Sequence, residues 1–362
     1  MTEPFESALR VMPGEEPLGP VSDKALPRRK QELSAEALAQ GVVARDRTMI
    51  GRALSLLEST APRHQEPKVE LLHRLTPYAG GSFRLGISGV PGVGKSTFIE
   101  ALGMHAIEKG GARVAVLAID PSSELTGGSI LGDKTRMNRL ASHPDALVRP
   151  SASGSWLGGV ARASRESILI CEAAGYDLVI IETVGVGQSE TQAASMVDYF
   201  LLLMLAGAGD ELQGIKRGIL ETADGVAINK ADGDNLANAK VARSQLQGAL
   251  RLLRANHTSQ VAEVMLCSAL HGTGISELWA VLSSWRDRAV ATGERDAKRR
   301  RQALFWMNQA IEHQLHQRFE SSAAMQEARA ETERAVLDGS LSPFDAASRL
   351  IDLAFNNQNK TS

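Results

Sequence analysis

The sequence predicts an α/β protein built on a mainly parallel sheet, with one helical region before the sheet and another after it. Six short apolar runs alternate with stretches of helical periodicity between residues 82 and 290. Most of these runs are continuously apolar, which is typical of strands that are covered on both faces. Alternation of strands with helices implies crossover connections and parallel strands. The predicted strands read FRLGIS, RVAVLAID, DLVIIET, YFLLLML, GVAIN and VAEVMLCS.

Residues 34–78 form the predicted N-terminal helical region. Apolar residues recur there at i, i+3, i+4 and i+7, a spacing that puts side chains on one face of a helix. These positions are Ile50, Ala53, Leu54 and Leu57, followed by Val69, Leu72 and Leu75. Residues 1–33 contain several acids and prolines but no apolar targeting core, and they are predicted to be a flexible tail.

Residues 79–290 are predicted to form a nucleotide domain, and residues 291–362 a C-terminal helical region. The apolar stripe of that last region consists of Leu304, Met307, Ile311 and Leu315. A final short helix is predicted to begin at Ser342-Pro343, because proline is favoured in the first turn, and to end near Phe355. Such an arm either caps the core or mediates self-association, and its apolar stripe favours a homodimerisation arm.

The composition excludes several classes of protein. The 362 residues carry a net charge of -2, so no overall attraction to nucleic acid or to an acidic membrane is expected. The longest apolar run is far shorter than the ~18 residues that a membrane span needs. Cys171 and Cys267 are isolated and form neither a disulfide framework nor a zinc motif. We therefore expect a cytoplasmic protein, and we interpret the basic run Lys298–Arg301 as a solvated helix face.

The stretch GVPGVGKST, from Gly89 to Thr97, follows a predicted strand and precedes a predicted helix. It matches the pattern G-x-x-x-x-G-K-[ST], in which glycines let backbone N–H groups turn toward phosphate oxygens. Lys95 is expected to reach the β- and γ-phosphates, and the Ser96 hydroxyl is expected to bind Mg²⁺. The residues expected to surround the phosphates are Gly89, Val90, Pro91, Gly92, Val93, Gly94, Lys95, Ser96 and Thr97. The alternative is a coincidental glycine-rich turn, against which the flanking strand and helix argue.

A second motif, VAINKADGD, indicates which base is bound. The Asp232 carboxylate follows a predicted strand and can accept hydrogen bonds from guanine N1–H and N2–H₂, a donor pair that adenine lacks. Lys230 is expected to lie against the plane of the base, while Asn229 ties neighbouring loops together. The contacts expected to the base oxygen come from the backbone of Ser268, Ala269 and Leu270, in CSALHGTG. The predicted ligands are therefore GTP and GDP.

Acidic residues near predicted strand ends are candidates for the magnesium site. Three carboxylates lie at these ends or in the connecting loops, where they either converge on one Mg²⁺ or face solvent. They are Asp120, Asp133 and Glu182. Gly185, in ETVGVGQSE, is expected to offer its N–H to the γ-phosphate and to report its loss.

The segment ETVGVGQSE lacks a glutamine at the position where small GTPases such as Ras have the glutamine that positions water. Val186 occupies the position after Gly185, and Gln188 lies two residues later. We therefore expect slow intrinsic hydrolysis that a partner accelerates. The residues expected to take part in the reaction are Lys95, Asp133, Gln188 and Lys216.

Five blocks of the sequence together resemble the MeaB/ArgK/MMAA family of P-loop GTPases. The blocks are GVPGVGKST, AIDPSSELTGGSILGDKTRM, CEAAGYDLVIIETVGVGQSE, AGAGDELQGIKRGI and NKADGDN. The resemblance spans residues 35–355 and implies a P-loop GTPase core with a C-terminal helical dimerisation arm. It also implies a chaperone of an adenosylcobalamin-dependent acyl-CoA mutase such as methylmalonyl-CoA mutase. In that family, GTP hydrolysis gates cofactor delivery, release of damaged cofactor and protection from inactivation.

The resemblance also assigns roles to particular residues. Asp120, Asp133 and Glu182 match the acids on the Mg²⁺ side of the site. The segment GDELQGIK, residues 209–216, matches an extra switch loop that responds to the mutase. The residues that would transmit this signal are Asp210, Glu211, Gln213 and Lys216. From its residues alone, the same segment is a solvated polar loop. Trp156, in SGSWLGG, either contacts the partner or folds back onto the core.

Two other functions fit parts of the sequence. A metallochaperone GTPase would need Cys or His metal ligands near the nucleotide, which the isolated Cys171 and Cys267 do not supply. A transport-linked small-molecule kinase would need an acceptor pocket with a base near the γ-phosphate, and no motif for one is found. Guanine selectivity and the switch-like glycines favour a GTPase over a kinase.

Overall fold

The structure is a computed structural model that describes residues 34–59, 61–119, 137–150, 157–183, 189–206, 217–254, 262–321 and 323–356. Within these ranges the chain forms seven β-strands and thirteen α-helices. The tail predicted at residues 1–33 lies outside them.

The seven strands form one sheet in which every described pairing is parallel. They are β1 (Phe83–Gly89), β2 (Val114–Ile119), β3 (Ala146–Arg149), β4 (Leu178–Thr183), β5 (Tyr199–Leu205), β6 (Gly225–Asn229) and β7 (Glu263–Leu266). Their order is β3-β2-β4-β1-β5-β6-β7, so β1 lies at the centre between β4 and β5. The mainly parallel sheet and the six predicted strands are confirmed.

Along the chain, α-helices precede the first strand, separate each strand from the next and follow the last one. They are α1 (Ala35–Val43), α2 (Arg47–Glu58), α3 (Gln65–Leu75), α4 (Lys95–Glu108), α5 (Asn138–Ser142), α6 (Leu157–Ala173), α7 (Ser189–Ala194), α8 (Arg217–Thr222), α9 (Asn235–Arg254), α10 (Ile275–Ala291), α11 (Glu294–Ser321), α12 (Ala323–Leu337) and α13 (Pro343–Asn356). Helices α1–α3 precede the sheet and α11–α13 follow it, which agrees with the predicted architecture.

Strand β3 was not predicted from the sequence. It has four residues, ALVR, in which buried and half-buried side chains alternate. A segment this short contains too few apolar positions to differ from a loop in its periodicity. An ion pair between Arg149 and Glu58 of α2 helps to hold this strand at the edge of the sheet.

The predicted stripe on α2 is buried, but that on α3 is shifted. The buried residues of α2 are Ile50, Ala53, Leu54 and Leu57. On α3 the inward face consists of Lys68, Leu71 and Leu75, whereas Val69 is 62% exposed. The predicted stripe is therefore wrong at Val69, while Leu72 is half-buried and Leu75 is buried as predicted. The Lys68 ammonium group donates to the carbonyl oxygen of Ser59, so a lysine holds an inward position that hydrophobic periodicity does not identify.

The apolar stripe predicted on α11 is exposed in the described chain. The exposed fractions are 61% for Leu304, 52% for Met307, 49% for Ile311 and 51% for Leu315. The last helix, α13, begins at Pro343 as predicted. Ser342 precedes it and forms two hydrogen bonds with Asp345, a reciprocal arrangement that caps a helix start.

Buried charged side chains hold the amino ends of β1 and β5. Arg84 lies 2.8 Å from Glu172, and Arg299 of α11 lies 2.6 Å from Asp198. The two carboxylate side chains are 1% and 0% exposed. Burial by itself raises the pKa of Glu172, but hydrogen bonds and charge from Arg84 outweigh it, and the pKa lies below its ordinary value. Burial also lowers the pKa of Arg299, and Asp198 more than reverses this effect.

The basic run at the start of α11 is therefore only partly solvated. Lys298 donates to the Asp198 carbonyl oxygen at 2.7 Å and to the Asp224 carboxylate at 3.0 Å. Arg299 also points toward the sheet, whereas Arg300–Arg301 is exposed. The interpretation as a solvated face is wrong for the first two residues. Their acceptors lie between 74 and 219 positions earlier in the sequence, at or near strand starts that only the fold brings near α11.

Candidate functional site

The glycine-rich loop lies between the end of β1 and the start of α4. Gly92 and Gly94 have φ angles of 80° and 92°, in the left-handed region that favours glycine. A Cβ on Gly94 would also lie 2.9 Å from the side-chain nitrogen of Asn229. Because α4 begins at Lys95, the N–H groups of its first turn face the loop. The loop therefore combines backbone donors with the positive end of a helix, an arrangement suited to phosphate.

Lys95 reaches back over this loop. Its Nζ donates to the carbonyl oxygen of Gly89 at 2.7 Å and to that of Val90 at 3.4 Å. Carbonyl and phosphate oxygens are both acceptors, and the charged phosphate forms the stronger hydrogen bond with an ammonium group. Lys95 is therefore placed to exchange the loop carbonyls for a phosphate.

The other predicted loop residues differ in what their side chains contact. Pro91 is exposed, Ser96 is half-buried and Thr97 is exposed on the first turn of α4. The side chain of Val93 is fully buried in the hydrophobic core around β1. Val93 therefore contributes its backbone to the loop, while its side chain anchors the loop to the core.

Asn229, the last residue of β6, connects two loops. Its Nδ2 donates to the carbonyl oxygen of Val93 at 2.8 Å, and its Oδ1 accepts from the N–H of Ala269 at 3.0 Å. Lys230 donates to the carbonyl oxygen of Gly92 at 2.9 Å and has a φ angle of 57°. A residue other than glycine rarely has this backbone conformation, which persists where the surroundings enforce it. The end of β6 is thereby fastened to the phosphate loop and to the loop after β7.

The Asp232 carboxylate accepts a hydrogen bond from the Ser268 hydroxyl. Ser268 is buried, and its N–H donates to the carbonyl oxygen of Thr273 at 2.9 Å, which closes the turn after β7. That turn requires Gly274, because a Cβ there would lie 2.3 Å from the carbonyl oxygen of Leu266. The hydroxyl orients the carboxylate, whose further lone pairs can accept the two donors on the edge of guanine.

Glu182 is a buried residue near the end of β4. The parallel register places it opposite Ile87 of β1, two residues before the glycine-rich loop. The following residue, Thr183, donates to the Ser88 hydroxyl at 2.8 Å, and both side chains are fully buried. The end of β4 is thus joined to the strand that leads into the loop. The Glu182 carboxylate and the Ser96 hydroxyl are hard oxygen ligands, which Mg²⁺ prefers.

Several predicted site residues lie outside the described ranges, as does Trp156. They are Asp120, Asp133, Gly185, Gln188, Asp210, Glu211, Gln213 and Lys216. Within the described ranges, no group of three His, Cys, Asp or Glu side chains is placed to hold a metal ion. The roles assigned to these residues stay predictions.

The two cysteines are buried. Burial raises the pKa of Cys267 to about 12, and burial together with the charge of Glu172 raises that of Cys171 to about 12. A thiol with such a pKa stays protonated at neutral pH, so it is a poor nucleophile and a poor metal ligand. These thiols do not support a metallochaperone role.

Two features of the site were not predicted from the sequence. One is the hydroxyl pair of Ser88 and Thr183, and the other is the close approach of Asn229 to Gly94. The only sequence signal for the first is a hydroxyl residue next to each motif, in ISGVPG and IIETVG. The pairing depends on β1 and β4 being neighbours, which is a property of strand order.

A parallel sheet whose central strand leads into a phosphate loop, with an Asn-Lys-x-Asp segment fastened to that loop, defines a P-loop GTPase. Residues 50–324 match the family model described as Methylmalonyl Co-A mutase-associated GTPase MeaB. The chain belongs to this family of GTP-hydrolysing enzymes, which confirms the resemblance noted in its sequence.

Individual relatives agree with this assignment. The chain is 50% identical over 321 residues to a probable GTPase of Mycobacterium tuberculosis, an alignment that covers 89% of this chain and 95% of that protein. It is 48% identical over 282 residues to GTPase ArgK of Escherichia coli, covering 78% and 84% of the two chains. Identity to the mitochondrial methylmalonic aciduria type A homolog of Mus musculus is 42% over 332 residues, covering 89% and 80%.

The fold also matches a solved structure described as an LAO/AO transport system kinase. The two are 37% identical with a TM-score of 0.69, and the match covers 88% of this chain and 97% of the other. None of the described helices has the length and apolar character that crossing a bilayer requires.

Proposed function

We propose that this GTPase is a chaperone of an adenosylcobalamin-dependent acyl-CoA mutase, either methylmalonyl-CoA mutase or a close relative. GTP binding and hydrolysis would gate cofactor loading, release of damaged cofactor and protection from inactivation. The description of the family and the name of the Mus musculus relative support this partner. The proposal that the nucleotide is GTP rests on one observation: Asn229 and Lys230 form hydrogen bonds with the phosphate loop.

Guanine recognition would use the end of β6 and the turn after β7. Asp232 would accept hydrogen bonds from guanine N1–H and N2–H₂, while Lys230 covers the ring. The N–H groups of Ser268 and Ala269 already donate to protein acceptors. We therefore assign the contact with guanine O6 to the N–H of Leu270, whose side chain is 78% exposed. Adenine would leave the carboxylate without these donors, which is costly.

Hydrolysis would proceed by in-line attack of water on the γ-phosphate. Lys95 would leave the loop carbonyls for the β- and γ-phosphate oxygens, and the N–H groups of the first turn of α4 would stabilise the developing charge. Ser96, with Asp120, Asp133 and Glu182 as further proposed ligands, would hold Mg²⁺, which neutralises charge on the phosphate oxygens.

Partner control would act on residues near the γ-phosphate. Gly185 would donate its N–H to that phosphate, and Gln188 would orient water. The proposed partner-sensing residues are Asp210, Glu211, Gln213 and Lys216. Because Val186 stands where Ras carries glutamine, intrinsic hydrolysis would be slow until the mutase completes the site.

We also propose a cytoplasmic homodimer that forms through residues 291–362, outside a GTPase domain at 79–290 and an N-terminal helical region at 34–78. The half-exposed apolar stripe on α11 supports this arrangement, since a second copy would remove it from water. Light scattering of the purified chain measures the molar mass directly. A monomer at micromolar concentration would contradict the dimer without affecting the assignment as a GTPase.

The test of the proposed function is GTP hydrolysis with and without a purified candidate mutase, with ATP as the alternative nucleotide. The mutase should raise a slow, GTP-specific rate many-fold. Lys95→Ala should lower the stimulated rate by about 10²–10³-fold, while Lys109→Ala, at the exposed end of the same helix, should leave it unchanged. No response to any mutase, together with phosphate transfer to a small molecule, would contradict the proposal and favour a transport-linked kinase.

A further inference from the structure

Four side chains on one face of α11 donate hydrogen bonds to the segment that leads from α7 into β5. This contact row consists of Lys298, Arg299, Gln302 and Trp306. Residues three to four positions apart lie on the same face of a helix. The acceptors run in the opposite order along the chain, through Asp198, Val197 and Ser195. Successive turns of α11 are therefore bound to successive residues of this connection.

The two ends of the contact row differ in strength. Arg299 donates to both oxygens of the Asp198 carboxylate, at 2.7 and 2.6 Å, and that side chain is fully buried. Gln302 donates to the Val197 carbonyl oxygen at 2.9 Å, and Trp306 donates to that of Ser195 at 3.1 Å. Charged, bidentate hydrogen bonds are stronger than bonds between neutral groups. Arg299 is thus the anchor of the row, while Gln302 and Trp306 form its weaker end.

The weaker end binds the residue that follows α7. This helix has six residues, and an isolated helix of that length is unstable in water, so its contacts decide its position. It contacts β1, β4 and β5 of the sheet. Ser195 follows its last residue, Ala194, and its carbonyl oxygen is the one that Trp306 binds. In the sequence, α7 begins directly after the segment expected to sense the γ-phosphate.

Open space adjoins the contact row. A cavity of about 440 Å³ is lined by Ser195, Met196, Gln302 and Trp306, and Arg299 lines it as well. Within the described part of the chain, the buried Oε1 of Gln302 has no hydrogen-bond partner. Close-packed side chains resist displacement, whereas side chains beside a cavity can move without steric clash. Because Arg299 borders the same space, the difference between the two ends lies in their bonds. The neutral hydrogen bonds of Gln302 and Trp306 can break at lower cost than the charged pair that holds Arg299.

We propose that Gln302 and Trp306 are positioning residues for GTP hydrolysis. Their hydrogen bonds set the end of α7 and thereby its start, so that the position of the arm tunes the rate of hydrolysis. They touch neither the phosphate loop nor Asn229, Lys230 or Asp232, so nucleotide affinity is independent of them. The inference concerns hydrolysis by the chain alone and does not rest on the identity of the partner.

The experiment is single-turnover GTP hydrolysis by the full chain without any mutase, together with GDP affinity and thermal unfolding. Trp306→Phe keeps a ring beside the Arg165 guanidinium but removes the indole N–H. Gln302→Met keeps the side-chain length but removes the amide. Arg300→Gln, on an exposed position of the same helix, is the matched control. Light scattering on each variant separates this effect from a change in oligomeric state.

We expect each of the two variants to slow hydrolysis by about fivefold or more, with GDP affinity unchanged and Arg300→Gln as fast as the unmodified chain. Wild-type rates with a lowered unfolding temperature would show that the row is structural only, which overturns the proposal. A slower rate with an equal loss of GDP affinity would place the effect in the nucleotide pocket and overturn it as well. Neither outcome bears on whether a mutase is the partner.

Discussion

The two ends of the central sheet hold their cations in different ways. At the carboxyl end, Lys95 and Lys230 donate to backbone carbonyl oxygens of the phosphate loop. At the amino end, the Arg299 side chain is 13% exposed and is bound by Asp198 and by two backbone carbonyl oxygens. A cation bound to neutral carbonyl oxygens can transfer to a phosphate without leaving a charge unpaired. Opening a buried ion pair, by contrast, leaves a buried charge without its partner. The carboxyl end can therefore exchange its contacts for a ligand, and the amino end serves as a rigid scaffold.

The difference also predicts that the arm and the nucleotide site can be perturbed separately. Contacts made by Asn229 tie loops together through neutral hydrogen bonds, each of which is worth about 0.5–1.5 kcal/mol. The contacts of Asp198 join β1, β5 and α11 through a charged network, since it also accepts from the N–H of Arg84 at 2.9 Å. Substitutions at the two ends should accordingly change different quantities.

The largest expected effect is a loss of stability when the charged network at the amino end of the sheet is broken. Asp198→Ala leaves the buried Arg299 guanidinium without its carboxylate, and we expect a loss of about 3–5 kcal/mol in the free energy of unfolding. Urea unfolding measures it. The control is Glu333→Ala, which removes an exposed partner of Arg329 and should cost about 1 kcal/mol or less. Equal losses in both variants would show that the amino end is not a scaffold.

An effect of intermediate size is expected at the nucleotide end, in the preference for GTP over inosine triphosphate. Inosine triphosphate lacks the 2-amino group of GTP, so Asp232 should accept one hydrogen bond fewer from it. A hydrogen bond to a charged group is worth about 1.5–3 kcal/mol, so GTP should bind about ten to a hundred times more tightly. Asp232→Ala should abolish this preference, and Asp234→Ala, at a neighbouring exposed position, should keep it.

Competition binding with a fluorescent GDP analogue gives both affinities. A preference for GTP that survives Asp232→Ala would contradict the assignment of the base-reading carboxylate. Thermal unfolding of the two variants should be similar, because neither residue belongs to the buried charged network.

The smallest expected effect concerns pH. The pKa of Glu172 lies below its ordinary value of 4.5 in the folded chain. Its contribution to stability is therefore present above that value and is lost as the pH falls through the folded pKa. Glu172→Gln cannot lose a charge, so its unfolding free energy should depend less on pH in this acidic range. Glu70→Gln, at an exposed ion pair, should follow the unmodified chain.

Urea unfolding between about pH 6 and about pH 3 compares the three proteins. Parallel profiles for Glu172→Gln and the unmodified chain would show that Glu172 does not contribute to acid sensitivity. The effect is smaller than that of Asp198→Ala because the glutamine keeps the size of the side chain and part of its hydrogen bonding.

Most of the sheet could be predicted because its strands are continuous apolar runs separated by helices. Each exception has a physical cause. Strand β3 has too few residues for a periodic signal. Lys68 faces inward because it donates to the carbonyl oxygen of Ser59, and a pattern of apolar residues does not reveal such an acceptor. Lys298 and Arg299 were interpreted as solvated, but their acceptors lie far away in the sequence. Periodicity detects burial by hydrophobic residues, and it misses burial that depends on a charged partner.

The sequence by itself determined the glycine-rich loop, the Asn-Lys-x-Asp segment and the alternation that makes a parallel sheet, because each of these is a short-range pattern with its own chemistry. Tertiary structure alone decided which groups meet. Strand order joins Ser88 to Thr183, the end of β6 reaches Val93, and α11 lies against the connection before β5. These contacts link residues about 95 to 136 positions apart. No local pattern encodes such pairs, since they form only when the sheet and the arm pack around one core.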